Sequence, residues 1–273
     1  MYSKIIGHQV EERARSPLIW NHLYNRLEIE SEMKKLNLNE DKLQEEITEF
    51  IQNPEYRSIL LAAPLKGLAV RVLRELGQNI FDDLDSINLI YKTKNVIRAT
   101  STDGFGAMAS MGISNSSNRF LILGYGGTSK SIINAIQLSN KDSTVKVATR
   151  RPIAGKSQVI PIEFIGYEDL PNQLSVTDVI INATTLGNAD NLLSSPVGSD
   201  IFAKAPKSIK LMDVNYNDTG TTTFLEYGKN HGLNGTDGRP MNLYQALYAF
   251  KLTNPNIDES LEDLIELGDW QNV

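Results

Sequence analysis

The sequence predicts an α/β protein built as two α/β units, and three features carry that expectation. Short apolar runs of strand length alternate with helix-period stretches along most of the chain, the pattern of βαβ units around a parallel sheet. A stretch rich in Ser and Asn, from Ile113 to Asn118, breaks the alternation and reads as a linker. Directly beyond it the apolar run Arg119–Leu123 enters a glycine-rich turn, Gly124-Tyr-Gly-Gly127, which leads into a helical pattern.

The first unit opens with a short strand at Tyr2–Gly7. Ser16 is expected as an N-cap with Pro17 at the first helical position. Leu43, Ile47, Phe50 and Ile51 form an i, i+4, i+7, i+8 stripe, so Asn39–Asn53 is read as a helix with acids in its first turns. Ser58–Ala63 reads as a buried strand ended by Pro64, and Leu68–Leu76 as a helix closed by Gly77. Two strands follow, near Ile87–Lys92 and Val96–Thr100. Beyond the glycine turn come a helix at Ser129–Leu138 and strands at Thr144–Thr149, Asp178–Asn182 and Ile209–Asp213. Two helices, Pro240–Asn254 and Asp258–Leu267, end the chain.

Composition narrows the function. The 273 residues are 41% hydrophobic and 22% charged, an ordinary globular balance. A net charge of -6 argues against a general binder of nucleic acid or membrane surfaces, which needs a clustered basic face. The chain has no cysteine, which removes thiolate metal sites and a Cys nucleophile. Its three histidines, His8, His22 and His231, are far apart and make no short-range ligand pair, so no metal is expected. No apolar run approaches the roughly 20 residues of a membrane span. The expected location is the cytoplasm.

The turn at 124 points to a dinucleotide. A phosphate cradle needs a strand to aim it, glycines that let the backbone approach, and a helix N-terminus that offers N–H groups and a positive dipole end. Gly124, Gly126, Gly127, Thr128 and Ser129 occupy those places, with Ser129 where the generic fingerprint has its third glycine. A structural turn without a ligand is the plainer alternative. An NAD site usually carries an acid at the end of the next strand. Here stand Thr149, Arg150 and Arg151, whose guanidinium groups suit the 2′-phosphate of NADP better than the bare ribose of NAD.

Several elements become specific only as a set. Ser16-Pro17, Pro64-Leu-Lys66, Asn88, Thr102-Asp-Gly-Phe-Gly106, the turn at 124–127, Asn182-Ala-Thr-Thr-Leu-Gly187, Asp213-Val-Asn-Tyr216, Asp237-Gly238 and Gln245-Ala246 together resemble the shikimate dehydrogenase family in order and spacing. The resemblance implies a substrate domain of residues 1–104 completed by C-terminal helices at 239–273, and a Rossmann-type NADP-binding domain at 105–238. It implies an enzyme of aromatic amino acid biosynthesis that interconverts shikimate and 3-dehydroshikimate, or a related acid such as quinate, as a monomer or homodimer. By the same resemblance Lys66 is the general acid/base and Asp103 its partner. Ser16, Asn88, Tyr216 and Gln245 would contact substrate, and Asn182, Thr184 and Gly238 would join the cofactor site.

The chemistry suits these residue types. Ketone reduction requires hydride at carbon and a proton for the developing alkoxide, and a lysine in a cleft can deliver that proton. The sequence departs from the family at three polar positions: Ala14 and Ala62 replace hydroxyl residues, and Ser101 replaces an asparagine. Each lost hydrogen bond to a charged group is worth roughly 1.5–3 kcal/mol, so the departures put the substrate in question while Lys66 and Asp103 remain. Two other readings stand beside the first. One is an inactive or weak relative that binds NADP(H) as a sensor or scaffold. The other is a dehydrogenase of similar fold acting on a folate, which the Thr-Asp-Gly and Gln-Ala elements disfavour.

Overall fold

Five strands form the sheet of the first unit: β1 (Tyr2–Gly7), β2 (Glu32–Asn37), β3 (Tyr56–Leu61), β4 (Leu89–Thr93) and β5 (Val96–Thr100), in spatial order β2-β1-β3-β4-β5. β1 runs parallel to both β2 and β3, while β4 pairs antiparallel with β3 and with β5. The computed structural model describes residues 1–80, 85–94, 96–113, 117–150, 162–188, 191–217 and 220–270. They divide into one unit of Met1–Gly106 with Asn242–Val273 and a second of Ala107–Met241.

Side-chain alternation along the strands gives the first sheet two cores. Ile6, Ile59, Leu61 and Ile90 face one way and pack with Leu43, Ile47 and Phe50 of α3 (Leu43–Gln52) and with Leu65, Ala69 and Leu73 of α4 (Leu65–Glu75). Ile5, Leu60 and Leu89 face the other way, onto Ile19, Trp20 and Leu23 of α2 (Ser16–Arg26), which follows the short α1 (Val10–Arg13). This second core is closed by Ala246, Leu247 and Phe250 of α9 (Gly238–Thr253) and Leu264 of α10 (Leu261–Glu266). The Trp20 and Phe250 rings meet edge to face with centroids 5.4 Å apart, and Trp20 Nε1 donates to the Ala246 carbonyl at 2.9 Å. Burying side chains of this size stabilises the fold by roughly 1.5–3 kcal/mol each.

The second unit holds a six-stranded sheet of β6 (Arg119–Leu123), β7 (Thr144–Ala148), β8 (Ile162–Ile165), β9 (Val179–Asn182), β10 (Lys210–Asp213) and β11 (Asn234–Thr236). Every pairing is parallel and the spatial order is β11-β10-β9-β6-β7-β8. Counted from the first strand of the unit this is 3-2-1-4-5-6, the doubly wound order of dinucleotide-binding sheets. Between the strands run α6 (Gly127–Ser139), α7 (Leu170–Gln173) and α8 (Thr223–Asn230), while α5 (Asp103–Ser110) precedes β6. Strands covered on both faces read as continuous apolar runs, which is why Phe120–Leu123 and Val179–Ile181 are buried throughout. Among the described residues no helix is long and apolar enough to cross a membrane.

Several boundaries differ from expectation for local reasons. Ser16 is the first residue of α2 rather than its cap, with Arg15 at the cap position and Pro17 in the first turn. The helix after Pro64 starts at Leu65 rather than Leu68, so Lys66 lies in its first turn. β2 was not expected: Glu32-Met-Lys-Lys-Leu-Asn37 is an edge strand with one buried residue, Met33, and its charges conceal the period.

Candidate active site

Lys66 and Asp103 are brought together by the starts of two helices. Lys66 Nζ donates to Asp103 Oδ2 at 2.5 Å, and the carboxylate is buried while the lysine keeps 22% of its side chain exposed. Asp103 therefore presents one oxygen to the ammonium. Its other oxygen, Oδ1, accepts from Asn88 Nδ2 at 2.8 Å. A charge-assisted pair with a second donor behind it fixes the direction of the lysine head group.

Asn88 sits immediately before β4, where its backbone is held from both sides: its N–H donates to the Thr100 carbonyl and its carbonyl accepts from Leu61 N. The Asn88 side chain is buried and fully engaged. Its Oδ1 accepts from Thr102 N at 2.8 Å, and Nδ2 lies 3.0 Å from Thr102 Oγ1 and 3.1 Å from Gln245 Oε1 as well. Gln245, delivered by α9, donates from Nε2 to the Asn242 carbonyl at 3.0 Å and to Ser16 Oγ at 3.4 Å. Ser16, Asn88, Thr102, Asp103 and Gln245 are all buried, with only Lys66 reaching solvent among these six. Buried polar groups persist when each finds a partner, and this cluster meets that condition through its own members.

The second unit carries a separate crevice of about 1140 Å³ at the carboxyl ends of its strands. It opens where the order reverses between β6 and β9, the switch point at which open α/β sheets take ligands. Gly124, Gly126, Thr149, Arg150, Thr184 and Leu186 line it. Gly124 has φ +91°, a conformation that favours glycine, and a Cβ at Gly126 would meet no atom within 4 Å. Helix α6 begins at Gly127, so its unpaired N–H groups lie at the end of the turn. Among the described residues Thr149 Oγ1 is buried without a hydrogen-bond partner, an oxygen that a ligand hydroxyl or phosphate in the crevice would satisfy. Tyr167 stands on the same rim. Burial pushes its phenol upward, and the Arg150 guanidinium opposes that shift.

No protein-family profile matches the chain. Its sequence is 27% identical over 270 residues to the NADP(+) shikimate dehydrogenase of Legionella pneumophila (strain Corby), covering 95% of this chain and 97% of that protein. The crystal structure of shikimate dehydrogenase 1 from Peptoclostridium difficile superposes with a TM-score of 0.75 at 26% identity, over 97% of both chains. Along nearly its whole length the chain is similar to shikimate dehydrogenases. A further likeness, in fold alone, is to the shikimate 5-dehydrogenase of Thermus thermophilus solved with NADP(H) and shikimate, with a TM-score of 0.78, 21% identity and 98% of both chains covered.

Against the expectations raised by shikimate dehydrogenase motifs, the first unit joins Lys66, Asp103, Asn88, Gln245 and Ser16 in one cluster. Tyr216 belongs to the second unit, beside Gly238. Of the residues expected against the cofactor, Gly124, Gly126, Thr149, Arg150 and Thr184 line the crevice. Arg151 lies outside the described residues. Ser129 is fully buried, its hydroxyl donating to the Gly124 carbonyl at 2.8 Å and accepting from Gly126 N at 3.3 Å, so it ties the turn instead of facing a ligand. Asn182 is fully buried too, and its amide is spent on Leu186 O, Asp213 and Thr184. Gly238 is required by packing, since a Cβ there would fall 2.1 Å from the Val214 carbonyl oxygen.

Sequence reasoning passed over Thr102 as a site residue, and Gly166 and Tyr167 on the crevice rim. Thr102 had a signal, since it precedes the aspartate of the motif. Gly166-Tyr167 follows the four-residue strand β8, too short to announce itself.

Proposed function

We propose that the chain is an NADP-dependent oxidoreductase that interconverts shikimate and 3-dehydroshikimate, or a closely related cyclic hydroxy acid such as quinate. The observation that carries this reading is the Lys66–Asp103 contact at 2.5 Å within a buried, mutually satisfied polar cluster. The family of the sequence and structural relatives supports the same chemistry. The first unit, completed by α9 and α10, would bind the substrate. The second would bind the dinucleotide, with its pyrophosphate at the start of α6 and Arg150 toward the 2′-phosphate.

The bound nicotinamide supplies or accepts the hydride. Lys66 Nζ donates a proton to the oxygen on the carbon undergoing reduction and recovers it in the reverse direction. Asp103 accepts from the ammonium and holds it on one trajectory, while Asn88 occupies the second carboxylate oxygen so that Oδ2 stays with the lysine. Gln245 and Thr102 keep Asn88 in place. Ala14 and Ala62 pack against the Trp20 core and bring no hydroxyl to the site, which is why quinate and related acids belong in the substrate panel.

The test is NADP+ reduction by shikimate, quinate and related cyclic hydroxy acids, with the wild type set against Lys66→Ala. Turnover of one of them that is lost in Lys66→Ala supports the assignment. Equal rates in the two proteins would remove Lys66 from the mechanism.

A further inference from the structure

One buried carboxylate in the second unit has no place in the chemistry above. Asp213 ends β10 and is fully buried, and among the described residues its contacts are amides and a hydroxyl. Its Oδ1 accepts from Asn182 Nδ2 at 3.0 Å, Asn215 N at 3.0 Å and Asn215 Nδ2 at 2.9 Å, and its Oδ2 accepts from Thr222 Oγ1 at 2.7 Å. Burial pushes this carboxyl upward, against the hydrogen bonds from Thr222, Asn215 and Asn182.

The two asparagines lead from Asp213 to the crevice. Asn182 Nδ2 also donates to the Leu186 carbonyl at 3.0 Å, and Asn182 Oδ1 accepts from Thr184 N at 3.0 Å and from Thr184 Oγ1 at 2.7 Å. Asn215 Nδ2 donates to the carbonyls of Thr184 at 2.9 Å and Leu186 at 3.1 Å. Ala183, Thr184, Thr185 and Leu186 are one wall of the crevice. Gly187, which ends that loop at φ +101°, has room for a Cβ only at 3.4 Å from Asp213 Oδ2. The wall carries no regular secondary structure; two amide side chains meet the Thr184 N–H and the Thr184 and Leu186 carbonyls, and both amides are oriented by one carboxylate oxygen.

We infer that Asp213 is a positioning residue: through Asn182 and Asn215 it fixes the 183–187 loop as a wall of the nucleotide crevice, and so sets the affinity of that crevice for its ligand. The ligand named is NADP, which rests on the proposed function; the hold on the loop does not. A carboxylate is needed because it is an acceptor only. An amide in its place would turn a donor toward Asn182, Asn215 or Thr222.

Hydrogen exchange and NADP+ titration on Asp213→Asn and Asn215→Ala test this. Asn215→Ala removes the Nδ2 donor to Thr184 and Leu186 and leaves Asp213 in place with its bonds from Asn182, Asn215 N and Thr222, and so decides the matter if Asp213→Asn does not fold. Amides of 183–187 are expected to exchange roughly tenfold faster in the variants while those of β6 and β7 keep their protection. The dissociation constant for NADP+ should rise by a similar factor, and in turnover the loss should fall on KM for NADP+ more than on kcat. Unchanged exchange in the loop of folded Asn215→Ala would overturn the inference. A wild type that failed to bind NADP+ would instead overturn the proposed function, with the exchange experiment still deciding whether Asp213 holds the wall.

Discussion

Gly124 and Thr184 approach so closely that no side chain fits between them: a Cβ built on Gly124 would lie 2.8 Å from Thr184 Cγ2. The glycine turn and the opposite wall of the crevice are therefore shaped against each other. Gly124→Ala must move one of them and must also hold alanine at a positive φ, at a cost of about 1–3 kcal/mol. We expect that variant to remain folded and to bind NADP+ roughly tenfold more weakly or worse, as read by calorimetry. Wild-type affinity in Gly124→Ala would mean that the turn is not where the dinucleotide lies.

Lys66→Met keeps most of the volume of the side chain and removes its proton. With the lysine as acid/base we expect kcat to fall by about 10²–10⁴, with NADP+ affinity retained. Asp103→Asn should fall in the same direction, because the neutral amide no longer fixes the ammonium. Steady-state rates with shikimate as the hydride donor give both values.

Arg150 is exposed on the crevice rim and should choose between the two nicotinamide dinucleotides. Arg150→Ala is expected to lower kcat/KM for NADP+ by roughly ten- to a hundredfold, the worth of a hydrogen bond to a charged group. The value for NAD+ should change little. Equal losses with both cofactors would place Arg150 against a part of the molecule that they share.

Tyr56 predicts an alkaline limit to stability. Its ring is fully buried and its hydroxyl donates at 2.6 Å to Glu46 Oε1, which also accepts from Lys4 Nζ at 2.7 Å. Burial, then Glu46, drives the phenol well above its ordinary value of 10.0. A raised folded-state value means that the folded protein keeps the proton while the unfolded chain releases it. The contribution is complete below about pH 10 and is lost as the pH climbs, at about 1.4 kcal/mol per pH unit for this one phenol. Urea unfolding between pH 8 and about pH 11 should show that decline in the wild type and a shallower one in Tyr56→Phe.

The parts of this fold that the sequence declares are those whose signal is local. Arg119–Leu123 is an uninterrupted apolar strand ending in glycine, and Leu43, Ile47 and Phe50 mark α3 by their spacing. β11, Asn234-Gly-Thr236, has no apolar residue at all and exists because β10 lies beside it. Helix α5 begins Asp-Gly-Phe-Gly, a composition that reads as a turn. Within the candidate site Lys66 and Asp103 were legible because they occupy recognisable motifs. Asn182, Asp213 and Asn215 stand in such motifs too, but their bonding to one another and to Thr222 was not legible, since only the folded strands and loop bring them into register.

Gln245 reaches Asn88 across 157 positions of chain, and Trp20 reaches Ala246 across 226. A ribosome making this protein therefore releases Asn88, Thr102 and Asp103 long before the helix that completes their surroundings. The entire Ala107–Met241 unit is synthesised in the interval. The nascent first unit must wait with an open apolar face on α2 and an unfilled acceptor position beside Asn88, so a chain cut short ahead of α9 would emerge with its lysine and aspartate present and the candidate site unmade.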